Sequence, residues 1–133
     1  MPIKVKNYQL NNDTLGVLNE LIELDINASS AFKLSRIIKS ISSIVEDKIK
    51  FEKKIYDKWV VKDENGNPKV PKDENGDLIK GAVEISDVSK FQSDMEELME
   101  VENILPFDKL NFENLNLEKA KIKDIIKIEF LFN

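Results

Sequence analysis

The chain has 133 residues, 41% of them hydrophobic and 34% charged, and a net charge of −5. That is the size of one domain with a modest core, and its average surface repels nucleic acid. It contains no cysteine and no histidine, which excludes thiol nucleophiles, thiolate zinc sites, imidazole bases and most transition-metal sites together.

No apolar run approaches the roughly 20 residues of a membrane span. The opening MPIKVKNYQL lacks the apolar stretch of a signal peptide, so a soluble chain made in a cytoplasm is expected. Ile3 and Val5, then Tyr8 and Leu10, alternate with polar residues and predict a short strand or extended arm. Asn11, Asn12 and Asp13 signal a helix start. Leu15, Leu18, Ile22 and Ile26 then recur at helical spacing, with Val17, Leu21 and Leu24 widening the stripe.

Asn27, Ser29 and Ser30 are capping residues before a longer periodic run. Leu34, Ile37, Ile38, Ile41, Ile44, Val45, Ile49, Ile55, Tyr56 and Trp59 keep to one broad face, which predicts a helix of roughly 30 residues. The short connection favours an antiparallel helical hairpin.

After Trp59 the chemistry changes. Lys62-Asp63-Glu64-Asn65-Gly66-Asn67 returns as Lys72-Asp73-Glu74-Asn75-Gly76-Asp77. Asn-Gly at both places predicts tight hairpin turns with positive φ at both central positions. Val60-Val61, Lys69-Val70 and Leu78-Ile79 become short strands, and Pro68 and Pro71 keep the middle one frayed, bulged or at an edge. A calcium loop fits less well, because glycine stands too soon after aspartate for an EF-hand, and a locally disordered linker is the remaining alternative.

Ser86 and Asp87 predict the start of a third helix carrying Val88, Phe91, Met95, Leu98 and Met99 on one face. Val101 to Leu105 is a candidate strand ending at Pro106. An irregular packed segment with Phe107, Leu110, Phe112, Leu115 and Leu117 follows, then a last helix from Asn116 through Ile128. The expected fold is α+β and mainly α: a single domain over residues 1–133, with a helical hairpin at 12–60, a β-hairpin flap at 60–85 and C-terminal helices and tail at 86–133.

The chemistry-bearing types form no recognisable site. Lys48, Lys50, Lys53, Lys54, Lys58 and Lys62 are interleaved with Glu46, Asp47, Glu52 and Asp57, which describes a solvated, ion-paired face. Phosphate recognition favours arginine, and Arg36 is the only one. Asp94, Glu96, Glu97, Glu100 and Glu102 read as a solvated helix face, and Ser40, Ser42 and Ser43 have no histidine to activate them. No phosphate loop, dinucleotide fingerprint or nucleophile elbow is present. The expectation is a non-enzymatic chain without cofactor or metal, and nucleic-acid or membrane partners are not expected. Phe130, Leu131 and Phe132 either pack on the helical hairpin or dock on a partner. Together with Trp59 they are the candidate partner-interface residues.

The order of a short helix, the long "AFKLSRIIKSISSIVEDKIKFEKKIYDKW", the turn-rich "KDENGNP", "FQSDMEELMEVENI" and a closing "LNLEKAKIKDII" resembles small tailed-bacteriophage proteins of unassigned biochemical function. Glu100-Val101-Glu102-Asn103-Ile104 is a near match to their acidic strand, with Asn103 inserted. The resemblance runs from about Leu15 to Ile126 and implies no catalytic residues. It implies a multicopy virion accessory protein at the head, portal or neck, made in the host cytoplasm, with phage structural proteins or copies of itself as partners. The other expectation is a small intracellular phage protein that binds and inhibits a host protein, for which the acidic 94–102 stretch is suited.

Overall fold

The structure, a computed structural model, describes residues 2–24, 27–110 and 125–132. The chain is α+β and mainly helical. In order come strand β1 (Ile3–Lys6), a 3-10 turn (Asn7–Gln9), helix α1 (Asn12–Glu23), helix α2 (Ala28–Trp59), helix α3 (Val88–Met99), strand β2 (Glu102–Leu105) and a 3-10 turn (Glu129–Leu131). The segment expected at Phe112–Leu117 and the start of the last helix lie outside the described residues. Two compact units are present, one formed by residues 1–48 and 99–133 and the other by residues 49–98. The division falls within α2 and at the end of α3.

In the first unit β1 and β2 form a two-stranded antiparallel sheet, with Ile3 opposite Leu105 and Val5 opposite Asn103. Period two sends Ile3, Val5 and Leu105 into the core. The expected alternation ends at Lys6, where the chain tightens into the 3-10 turn and leaves Tyr8 exposed. Asn11 accepts from Thr14 N–H, and Thr14 Oγ1 accepts from Asn11 N–H, a reciprocal cap for α1. Asn27 caps α2 by a single side-chain bond, its Oδ1 accepting from Ser30 N–H at 2.8 Å. The buried stripes of both helices, including Leu18, Leu21, Leu34, Ile37 and Ile41, enter one hydrophobic core with Leu10, Ile128, Leu131 and Phe132.

Among the described residues of this unit, Asn7, Thr14, Ser30 and Lys48 are buried polar side chains. Asn103, on the inward side of β2, donates to Asn7 Oδ1 at 2.8 Å and to the Val5 carbonyl at 3.3 Å. The inserted residue of the acidic strand thereby closes the end of the sheet. Lys48, expected on a solvated face, is only 9% exposed and donates from Nζ to the Leu10 carbonyl at 2.6 Å. It falls on the same helical stripe as Leu34, Ile37, Ile41 and Val45, so the geometry of the helix turns it inward.

Outside the core, Lys6 Nζ donates to Glu100 Oε2 at 2.6 Å. The hydrogen bond, and then the charge of Glu100, raise the Lys6 pKa above its ordinary value of 10.5. Both side chains are well exposed, so screening keeps the contribution small. A raised pKa makes the contribution complete below the unfolded value and removes it as pH rises through the folded one. NMR titration of the Lys6 Cε protons is expected to give a higher midpoint than in Glu100→Gln; equal midpoints would disprove the coupling.

The second unit contains the C-terminal part of α2, the repeated turns and α3. Each repeat folds the same way. Asp63 O accepts from Gly66 N–H, Asp63 N–H donates to Asn67 O, and Asp63 Oδ1 accepts from Asn65 and Asn67 N–H. Asp73, Gly76, Asn75 and Asp77 repeat the pattern. The expectation of positive φ at both central positions is corrected: no non-glycine residue has positive φ among the described residues, whereas Gly66 stands at +81° and Gly76 at +84°. These are three-residue loops, a type I turn followed by a left-handed glycine. The repeat is explained by that geometry: aspartate at the first turn position accepts backbone hydrogen bonds, and glycine takes the left-handed position.

The three expected strands reduce to isolated bridges, Val60 to Ile85, Lys62 to Pro68 and Lys72 to Leu78. The missing N–H groups of Pro68 and Pro71 prevent a continuous ladder. Instead Val61 N–H donates to Glu84 O, Glu84 N–H to Lys69 O, and Lys69 N–H to Val61 O, closing a ring of three backbone hydrogen bonds. Gly66→Ala is expected to destabilise by about 1 kcal/mol, because alanine resists the left-handed conformation. Gly16→Ala, inside α1 with open space around it, is expected to stabilise by a similar amount, about 1 kcal/mol. Urea melts of the two variants check the opposite signs.

Asp87 precedes helix α3 and caps it, its Oδ1 accepting from Lys90 N–H at 3.0 Å. None of its side chains is fully buried, and Val88, expected on its inner face, is exposed. Ile49, expected on the inner face of α2, is exposed as well.

Candidate functional site

A cavity of about 620 Å³ lies in the first unit. The first turns of α2 form one wall and the segment 106–110 after β2 forms the other. Phe32 and Arg36 stand four residues apart, which places them on one helix face. Phe107, fixed by its N–H bond to Leu105 O, comes from the other wall. The Arg36 guanidinium carbon lies 5.9 Å from the Phe32 ring centre and 5.7 Å from that of Phe107. Lys33 and Lys109 line the same cavity, with Asp108 as its carboxylate. Such an arrangement can hold an anion by charge and an apolar group by ring contact.

The residues assigned to a partner interface fall in different places. Trp59 is half-buried in the second unit. Its Nε1 donates to Asp94 Oδ2 at 2.7 Å, its backbone carbonyl accepts from Ser86, and Lys58 and Lys90 approach its ring. Leu131 and Phe132 lie in the core of the first unit, Leu131 at 0% exposure. Leu110 N–H donates to Leu131 O, and Leu110 bridges Phe132. Phe130 is half-buried and lines a second cavity of about 370 Å³ with Tyr8, Gln9, Asp13, Lys127 and Glu129. Of the three tail residues, Phe130 therefore keeps appreciable accessible surface.

The charged runs are broken up. Asp94 pairs with Trp59 and Lys58, and Glu100 with Lys6. Lys54 lies over the Phe51 ring. Among the described residues no group of three or more acidic side chains is placed to hold a metal ion. No helix among them is long and apolar enough to cross a membrane. Sequence reasoning missed the Arg36 site. Its only local signal is Phe32 one turn before the sole arginine; Phe107 arrives through the tertiary fold.

A different surface distinguishes the second unit. Val60, at 8% exposure, is its only fully buried apolar side chain. Ile55, Tyr56, Phe91, Met95 and Leu98 remain half-buried, while Ile49, Phe51, Leu78, Ile79 and Val88 are exposed.

Comparison with known proteins finds no matching family model, no matching curated protein and no matching solved structure.

Proposed function

We propose that the chain is a non-enzymatic structural or assembly protein of a tailed bacteriophage, a multicopy component of the virion at the head, portal or neck, made in the host cytoplasm. Its partners are other phage structural proteins or copies of itself. The observation that carries this reading is the second unit, which buries Val60 alone and leaves five large apolar side chains exposed. A unit of this size gains little stability from so small a core, and covering its apolar side chains against a neighbour supplies more. The resemblance over Leu15–Ile126 supports the same reading.

The reading includes an antiparallel hairpin of α1 and α2, supported by the common core that their buried stripes enter. It also treats the paired turns as a solvated flap, supported by the exposure of residues 62–69 and 72–81. Mass spectrometry of purified virions of the encoding phage tests the proposal, with the chain expected at several copies per particle. Its absence from virions, together with recovery of a host protein from infected cells, would replace this reading with the inhibitor one.

A further inference from the structure

Arg36 is the only arginine in a chain with 25 acidic residues. Among the described residues its guanidinium nevertheless has no hydrogen bond and no ion pair; its contacts are the faces of Phe32 and Phe107. The two rings near the guanidinium restrain the side chain without taking any of its N–H donors. Among the described lining residues Lys33 and Lys109 stand with Arg36 against the carboxylate of Asp108, an excess of positive charge in an acidic chain.

We propose that this cavity binds a small organic anion, a phosphate or carboxylate carried on a planar apolar body. The cavity volume of about 620 Å³ suits a small molecule. Phe32, although it sits beside Arg36, is 65% exposed, which leaves ring surface for an apolar group to cover. A bare inorganic ion would use the cations and leave both rings idle. This site is independent of the assembly reading.

Because there is one arginine, its Nε–H signal in a proton–nitrogen NMR spectrum identifies itself. The full chain is titrated with 1-naphthyl phosphate, 1-naphthoate, inorganic phosphate and the neutral 1-naphthalenemethanol. The expected result is a saturable shift of the Arg36 signal with one or both naphthyl anions, at least about tenfold tighter than with inorganic phosphate or the alcohol. Tighter binding of the phosphate identifies a phosphate monoester as the ligand type, and tighter binding of the carboxylate a carboxylic acid. Arg36→Gln is expected to weaken binding of the preferred naphthyl anion about tenfold with unchanged melting, and Lys109→Gln to weaken it less. No saturable shift, equal binding of the alcohol, equal binding of inorganic phosphate, or full affinity in Arg36→Gln would each overturn the proposal.

Discussion

Leu131→Ala is expected to lower the stability of the chain by about 2–5 kcal/mol, the cost of emptying a filled leucine site in a core that collapses incompletely. Leu131 is wholly buried, and its carbonyl accepts from Leu110 N–H at 2.6 Å. The substitution removes side-chain packing while keeping that backbone bond, so the loss belongs to the cavity. Denaturant unfolding measures it. Phe130→Ala, at a half-buried position, provides the contrast and is expected to cost clearly less. If Leu131→Ala unfolded at the same denaturant concentration as the parent, the tail would not be part of the core. The result also bears on the tail's role: Leu131 and Phe132, held in the core of the first unit, are not free to dock on a neighbour.

The second large effect is expected at Lys48. Lys48→Met keeps most of the aliphatic stem but leaves the Leu10 carbonyl without its charged donor. Leu10 is fully buried, so water does not readily replace that donor. The expected loss is about 1.5–3 kcal/mol, as for hydrogen bonds made by charged groups. An opposing term exists, because methionine avoids the desolvation of an ammonium group. The short contact and the buried acceptor decide in favour of lysine. Lys48→Ala is expected to cost more, since it also removes the stem from the core. Urea midpoints ordered parent, Lys48→Met, Lys48→Ala would support this account. A methionine variant as stable as the parent would show that the buried cation contributes nothing net.

Lys48 also shows how far pattern reading extends. Its position was legible: 34, 37, 41, 45 and 48 form one unbroken helical stripe. Residue type argued the other way, since lysine is rarely buried without a partner, and the partner is a carbonyl preceding α1. The repeated turns show the reverse. Asp-Glu-Asn-Gly identified them as turns, because aspartate at the first position and glycine in the left-handed region are local requirements. The choice of a three-residue loop over a two-residue one depended on the pairing of Asp63 with Asn67 across the turn, which Asn-Gly alone does not specify. For the tail, composition left packing in cis and docking in trans equally open. Contacts with Leu110 placed Leu131 and Phe132 inside the first unit.

The sequence by itself determined the helical stripes of α1 and the first part of α2, the helix starts at residues 11–13, 27–30 and 86–87, the extended start at Ile3 and the two aspartate–glycine turns. Each depends on residues within a turn or two of one another, where spacing and hydrogen-bonding chemistry act directly. The tertiary structure alone decided the Asn103–Asn7 bond, the burial of Lys48, the inward tail, the thinly packed second unit and the Arg36 cavity. These require residues distant along the chain to meet. Whether they meet depends on total apolar burial set against the entropy of closing long loops, which local patterning does not record.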